Sequence, residues 1–429
     1  MKRQTRFRNV AAAVSVAVLT AGVVGCSSGG GGSNRTLQVY MGNHGFTEQV
    51  QANIEAFEES TGIDVEISVY GEEQLSDQYT VQLNAGSDDI DVMMFRPLQE
   101  ARLYWENGWL EDLEPHASTA TDWDLSDFQP GPIDALTFDG ALTSIPVSTE
   151  RAVLYYRADL LAEQGIAVPT TFEELADAAA AIEAAHDDVV GYVARGNAHG
   201  AVPIFSAFLY SHGGDWVDAE GNAALDTPEA IAAYETYGGL LRDYGPSSGL
   251  ADIQWDSAMA LFTQGKAAFY IDADSLATNA IDPSSSTIVD SVAFAPLPAG
   301  PAGSRTFNIP NYALGISAYS SAKDEAWAFI EYFTSKESTK QFQLNAIPGA
   351  RVSVWLDDEA LAGFPPTLAA AIAESLDGVG RDRPAVARAS EAREIVGRPL
   401  LTVLEAGDTA AAAQEANRAF QQLLDEVQD

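Results

Sequence analysis

The stretch Ile90-Asp91-Val92-Met93-Met94-Phe95 sets the fold class, because it is apolar enough to form a strand buried on both faces of a sheet. Two more strands are predicted before it, at Leu37–Met41 and at residues 65–69, where every second residue is apolar. Amphipathic helices are predicted between them, the first capped by Thr47 and the second near Asp77–Asn84. This β-α-β-α-β order predicts a parallel sheet covered by helices.

The rest of the chain continues as α/β structure after a break rich in Gly and Pro around residues 131–146. About 395 residues follow the amino-terminal segment, which is more than the ~250–300 residues that a single hydrophobic core usually supports. Two α/β lobes with several chain crossings are therefore expected. Further strands are predicted at residues 153–157, 267–271, 292–295 and 312–317, and mostly helices from residue 361 onward.

Residues 1–25 have the composition of a secretory signal peptide, with four basic residues followed by an uncharged apolar stretch. Val23-Val24-Gly25-Cys26 is similar to a bacterial lipobox, whose cysteine is acylated and becomes the first mature residue. A retained membrane span is the alternative. Cys26 is the only cysteine, so it has no disulfide partner within the chain. Residues 26–34 are expected to form the lipidated cysteine and a flexible Gly/Ser tether.

The chain is strongly acidic, with a formal net charge of −39. Residues 1–25 hold four basic and no acidic residues, so the processed chain would carry −43. This charge argues against nucleic acid and anionic lipid surfaces as partners, because phosphate recognition needs a basic footprint. A solvated acidic surface is the simplest interpretation.

Signals for catalysis are weak. Gly245-Pro246-Ser247-Ser248-Gly249 fits the nucleophile-elbow pattern, but it follows a predicted helix and not a strand, so a loop is expected. None of the five histidines forms a zinc-binding pattern, and Asp272-Ala273-Asp274 does not continue as a calcium loop. No enzyme activity, cofactor or metal is therefore predicted. A glycosidase needs only two facing carboxylates, so that alternative stays open.

Several motifs together resemble the family 1 extracellular solute-binding proteins of ABC sugar importers. The resemblance extends over nearly the whole chain that follows the tether. The motifs, in chain order, are Ile54–Ile63, Gly140–Pro146 continued by Glu150–Leu161, Val168–Leu175, Phe262–Phe269 with Phe269 where the family has methionine, and Ala326–Ile330 with Thr334-Ser335.

The resemblance implies a two-lobed α/β fold like that of periplasmic binding proteins, with a hinge and a ligand cleft between the lobes. It implies a first lobe of residues 35–145 plus 291–345 and a second of residues 146–290 plus 346–429. Hinge closure around a sugar would distinguish the loaded from the empty form for a membrane permease. The protein is expected to be a monomer on the outer face of the cell membrane, anchored through Cys26.

The resemblance also suggests which residues hold a sugar, through stacking on aromatic rings and through planar hydrogen bonds. Glu150 follows the first crossing, although it would equally suit a solvated loop. Trp216, expected to be exposed, would stack on a sugar ring or else anchor packing. Further candidates are Asp272 at a strand end, Arg351 in a motif like the polyol-binding branch, and His44, Arg96 and Tyr312 at strand ends.

These observations predict a lipid-anchored protein that delivers an oligosaccharide or polyol to an ABC import permease. The alternative is an exported lipoprotein glycoside hydrolase.

Overall fold

The computed structural model describes residues 36–386 and 388–428. The strands in this part of the chain are β1 (Leu37–Gly42), β2 (Val65–Tyr70), β3 (Val92–Phe95), β4 (Thr137–Phe138), β5 (Ala141–Leu142), β6 (Ile145–Glu150), β7 (Ala152–Arg157), β8 (Val190–Val193), β9 (Ala267–Ala273), β10 (Val292–Pro296) and β11 (Ile309–Ile316). The helices are α1 (Gly45–Thr61), α2 (Glu72–Asn84), α3 (Pro97–Glu106), α4 (Glu114–Ala117), α5 (Pro130–Ala135), α6 (Ala158–Gln164), α7 (Phe172–Ala185), α8 (Ala198–Ser211), α9 (Pro228–Tyr244), α10 (Trp255–Thr263), α11 (Ala277–Ile281), α12 (Lys323–Phe333), α13 (Lys336–Gln343), α14 (Val352–Trp355), α15 (Pro366–Ala373), α16 (Ala389–Leu404) and α17 (Thr409–Gln428).

The strands form two main sheets. The first has the order β2-β1-β3-β11-β6, in which β1 pairs in parallel with β2 and β3, while β11 is antiparallel to both its neighbours. The second has the order β10-β7-β9-β8, with β8 and β9 parallel. The parallel β-α-β-α-β start predicted from the sequence is confirmed.

Each sheet is covered by helices and has its own hydrophobic core. The first core contains Phe57 of α1 and Trp327 of α12, and the second contains Phe205 of α8 and Trp355 of α14. We call the first sheet with its helices the first lobe and the second sheet with its helices the second lobe. Within the described residues, no helix is both long and apolar enough to cross a membrane.

The start of α1 differs from the prediction. His44 caps this helix, because its Nδ1 accepts a hydrogen bond of 3.1 Å from the backbone N–H of Phe46. The expectation that Thr47 is the cap is wrong, since its buried hydroxyl donates to the carbonyl of Gly42 at 2.7 Å. The cap holds the His44 ring at the end of β1, where the chain leaves the sheet.

The chain passes between the two sheets more than once. Strand β6 belongs to the first sheet as far as Glu150, and β10 belongs to the second sheet. Only Arg151 separates β6 from β7. We propose that the chain passes from one lobe to the other at three places: at Arg151, between Pro296 and Ile309, and between Gln343 and Val352. At each of these places the strand pairing or the hydrophobic core changes from that of one lobe to that of the other.

Candidate functional site

One wall of the candidate site lies at the carboxyl-end edge of the first sheet. His44 follows β1, Glu72 follows β2 and Arg96 follows β3. Tyr312 lies near the start of β11, and because β11 runs antiparallel, its amino end is at the same edge. Parallel strands place their carboxyl ends together, so these four side chains meet there.

Hydrogen bonds join these first-lobe side chains. The hydroxyl of Tyr312 donates to Glu72 at 2.5 Å, and Arg96 forms an ion pair with the same carboxylate at 2.6 Å. The rings of His44 and Tyr312 pack with centroids 4.6 Å apart. Burial lowers the pKa of His44, so its ring is neutral and serves as a hydrogen-bonding group without charge.

The opposite wall comes from the second lobe, where β8 and β9 end side by side. Glu150, the last residue of β6 in the first sheet, adjoins this wall and accepts a hydrogen bond of 2.6 Å from Ser275, just beyond β9. Arg195, just beyond β8, forms a two-pronged ion pair with the buried carboxylate of Asp272, and one of the two hydrogen bonds measures 2.8 Å. Tyr270 donates to Asp272 at 2.5 Å. Asp272 therefore fixes the Arg195 guanidinium, which stays partly exposed.

A cavity of about 730 Å³ lies between the two lobes. It is bounded by α3 and residues 130–138 of the first lobe and by residues 377–389 of the second. Arg383 lines it and interacts electrostatically with Glu150 and Arg195, which connects the cavity with the second-lobe wall. Arg383 is held by a two-pronged ion pair with Asp382, at 2.6 Å for each hydrogen bond.

A second cavity of about 140 Å³ brings residues of both sheets together. His44 and Asn311 line it from the first lobe, and Asp274 and Ser275 line it from the second. Ser148 also lines this cavity, and its buried hydroxyl has no hydrogen-bond partner among the described residues. A buried donor of this kind is usually satisfied by what fills the space, such as water or a ligand hydroxyl.

Glu150 has a strongly perturbed carboxyl group. Its pKa is raised from 4.5 to about 7, mainly because burial disfavours the charged form. The nearby carboxylates of Asp274 and Asp382 raise it further, while the Ser275 hydrogen bond and Arg195 oppose the shift. Near neutral pH the group exists in both protonation states, so it can accept a hydrogen bond or donate one.

Comparison with known proteins decides the family. Residues 43–340 match the sequence model of the family described as bacterial extracellular solute-binding protein. This chain belongs to that family. The family predicted from the sequence motifs is confirmed.

Relatives of this solute-binding protein cover most of its length. The mannitol-binding protein of Pseudomonas aeruginosa is 28% identical over 359 residues, which are 81% of this chain and 80% of the relative. A solved ABC transporter solute-binding protein from Agrobacterium radiobacter K84, in complex with ribitol, has a TM-score of 0.72 and 27% identity over 90% of this chain and 98% of that chain. Maltose-bound MalE3 of T. maritima has a TM-score of 0.72 and 26% identity over 90% of this chain and all of that chain. The two-lobed α/β fold is thereby confirmed.

Four of the residues expected in the cleft of this solute-binding protein belong to the two groups of side chains described above. They are His44, Arg96, Glu150 and Tyr312. Asp272 lies behind the second wall with no exposed surface, and its oxygens bind Arg195, Tyr270 and the backbone N–H of Ala273. It therefore supports the wall through Arg195.

Trp216 is not exposed, so the expectation of an exposed ring is wrong. Only 1% of the residue is accessible, and its indole N–H donates to the Tyr210 hydroxyl at 2.9 Å. The ring packs against Phe205 in the core of the second lobe. The turn at Gly213, where φ is +88°, folds the chain back onto α8 and directs Trp216 inward.

Arg351 lies inside the first lobe and has no exposed side-chain surface. Its Nε donates to the carbonyl of Thr334 at 2.7 Å, and its Nη1 lies 3.2 Å from Asp127. The guanidinium also stacks over Phe128, 4.1 Å from the ring centroid. In this conformation Arg351 ties loops of the first lobe together and does not face the cleft.

Sequence reasoning missed Arg195, Ser275 and Arg383. The carboxyl-end rule that selected His44 and Arg96 would also have found Arg195 and Ser275, because each follows a strand of the second sheet. Arg383 lies between helices in a segment without a local motif. Only its ion pair with Asp382 and its place beside the cavity single it out.

Proposed function

We propose that this protein binds a sugar or polyol in the cleft between its lobes and delivers it to an ABC import permease by hinge closure. The observation that carries the proposal is the set of hydrogen-bonding side chains that face one another from two lobes. His44 and Asn311 line the cavity of about 140 Å³ from the first lobe, and Asp274 and Ser275 line it from the second. Groups of this kind recognise hydroxyls, and hinge closure would bring them onto one ligand.

The charge balance of the walls supports a ligand without net charge. Arg96, Arg195 and Arg383 are each paired with a carboxylate of the protein. Neutralised pairs offer hydrogen bonds without a strong preference for an anion or a cation. The relatives named for mannitol, or solved with ribitol or maltose, hold ligands of this class.

A calorimetric and thermal-shift panel of mannitol, ribitol, erythritol and maltose tests the proposal. A ligand at 100 times its Kd adds about 2.7 kcal/mol to the free energy of unfolding, which is a measurable rise in Tm. If no sugar or polyol shifts the Tm or gives heat of binding, the carbohydrate proposal fails.

Binding without chemistry is part of the same proposal. The family consists of solute-binding proteins. Incubation with aryl glycosides and with each bound sugar separates this from the glycosidase alternative, because a binding protein returns the ligand unchanged. Turnover of any of these compounds that survives repeated purification would favour the hydrolase.

We further propose that Cys26 carries the lipid anchor and that the folded part acts as a monomer. Cys26 lies outside the described residues, so this rests on the lipobox-like sequence and on the tether that follows it. Cys26→Ser is expected to release the protein from the membrane or block its processing, with sugar affinity unchanged. A Cys26→Ser protein that stays anchored through a cleaved, lipidated form would contradict the anchor. Sedimentation of the processed protein tests the monomer.

A further inference from the structure

Arg393 lies on α16, the helix whose first residue lines the large cavity between the lobes. It comes four residues after Ala389, which lines the cavity of about 730 Å³, and residues four apart share one face of a helix. Its electrostatic neighbours include Arg383 and Arg195, both in the second-lobe wall. Arg393 therefore belongs to the same charged group of side chains.

The hydrogen bonds of Arg393 are incomplete. Its Nη2 donates to the carbonyl of His199 at 2.8 Å, but its Nε is buried with no partner. Within the described part of the chain it has no ion pair, whereas Arg195 and Arg383 each hold a carboxylate. A buried N–H on a cation without an acceptor costs free energy in the empty protein.

The surroundings of this guanidinium do not favour its charge. Burial and the cations Arg383 and Arg195 lower the pKa of Arg393 to about 10, against the opposing effects of Asp382 and Glu394. Asp382 is already shared with Arg383. Arg393 therefore has no carboxylate of its own in an ion pair within the described part of the chain.

Helix packing fixes this position. Gly397, one turn further along α16, lies against the backbone of Ala198 at the start of α8, and a Cβ at this glycine would overlap the Ala198 carbonyl. The close approach brings the amino ends of α8 and α16 together. It also aligns Arg393 with the His199 carbonyl, which makes His199 a positioning residue.

We propose that Arg393 is a ligand-binding residue of the cleft, whose free N–H groups donate to acceptor oxygens of the bound sugar or polyol. A guanidinium presents its donors in a planar fork, so it can span the oxygens of two adjacent hydroxyls. This inference rests on the proposed function and adds to it a residue that recognises the ligand.

The test compares Arg393→Gln with Arg398→Gln, an exposed arginine on the same helix. Calorimetry with whichever panel sugar binds best to the wild type gives the Kd, and thermal unfolding without ligand gives the Tm. We expect Arg393→Gln to weaken binding about tenfold or more, since hydrogen bonds from charged donors are among the stronger ones. We expect the ligand-free Tm to stay equal or rise. Arg393→Lys keeps the charge without the fork and should bind with intermediate affinity.

The outcomes separate the two proposals. A wild-type protein that binds no panel sugar rejects the proposed function. If the wild type binds and Arg393→Gln binds equally well, Arg393 is not a ligand-binding residue. A ligand-free Tm that falls well below that of Arg398→Gln would show that Arg393 serves the fold, and this too overturns the inference. If Arg393→Gln does not fold, the Kd of Arg393→Lys is used instead. A Kd equal to that of the wild type would then reject the ligand-binding role of Arg393.

Discussion

Arg151 and Asp274 form a wholly buried ion pair at the first crossing between the lobes, with Arg151 Nη1 3.3 Å from Asp274 Oδ2. Their backbones are joined as well, because the Arg151 N–H donates to Asp274 Oδ1 at 3.1 Å and the Asp274 N–H donates to the Arg151 carbonyl at 2.9 Å. The guanidinium lies over Trp355, 5.7 Å from the ring centroid. One side-chain pair thus fixes the end of β9 to the single residue between β6 and β7.

Asp274→Asn is expected to destabilise the protein by about 3–5 kcal/mol, because it leaves a buried guanidinium without a counter-charge. Chemical denaturation at neutral pH measures the loss. Asp290→Asn, at an exposed position, is the control and should change stability by less than about 0.5 kcal/mol. Equal stability of the two variants would mean that the pair adds nothing to the fold.

The raised pKa of Glu150 predicts that the stability of the protein depends on pH. Its pKa in the folded protein is raised to about 7, above the ordinary 4.5, so the folded state binds more protons than the unfolded state between these values. The contribution of Glu150 is therefore most favourable below pH 4.5, declines as the pH rises through 7 and is constant above that. The difference in unfolding free energy between wild type and Glu150→Gln should follow this course, with an upper limit of about 3 kcal/mol. A difference that does not vary between pH 4.5 and 8 would contradict the raised pKa.

Trp216→Ala is expected to reduce stability by about 3–5 kcal/mol, because it removes a large buried ring and leaves the Tyr210 hydroxyl without its donor. Trp255→Ala, at a residue that is 44% exposed, is the matched control and should cost much less stability. Thermal unfolding of both variants gives the comparison. A Trp216→Ala protein as stable as Trp255→Ala, but with weaker sugar binding, would restore the stacking role.

Gly397→Ala is expected to lower stability by about 1–3 kcal/mol and to weaken ligand binding, because the methyl group pushes α16 away from Ala198 and moves Arg393. Gly239→Ala, within α9 and with only an ordinary van der Waals contact to the Arg242 side chain at 3.8 Å, should instead stabilise by about 0.4–1 kcal/mol. Denaturation curves and Kd values of the two variants test this contrast. The packing explanation fails if both substitutions have the same sign.

Local patterns in the sequence were enough for the lobe architecture and for part of the candidate site. Alternating and continuous apolar runs placed β1, β2 and β3, and strand order then located His44 and Arg96 at one edge. This works because strand direction determines which ends meet, and strand direction follows from the helical connections. The position of Glu150 followed from the motifs around the first crossing.

Other assignments depended on contacts between distant residues. From the sequence alone, Asp272 at the end of β9 is expected to accept hydrogen bonds at the surface. In the structure, Arg195, 77 residues away in sequence, binds both oxygens of its carboxylate. Arg351 is likewise predicted to be a cleft residue, but in the structure it binds Thr334 and Asp127 inside the first lobe. Burial and ion pairing are properties of the packed chain, and no local spacing encodes them.

The sequence by itself determined the α/β class, the two lobes, the family and the edge of the sheet where a ligand is expected, because these depend on periodicity, strand order and short motifs. Tertiary structure alone decided that Trp216 belongs to a core, that Asp272 supports Arg195, and that the Nε of Arg393 is buried with no partner among the described residues. The physical reason is that the environment of a side chain, its solvent exposure and its nearest charges, is set by residues far away along the chain.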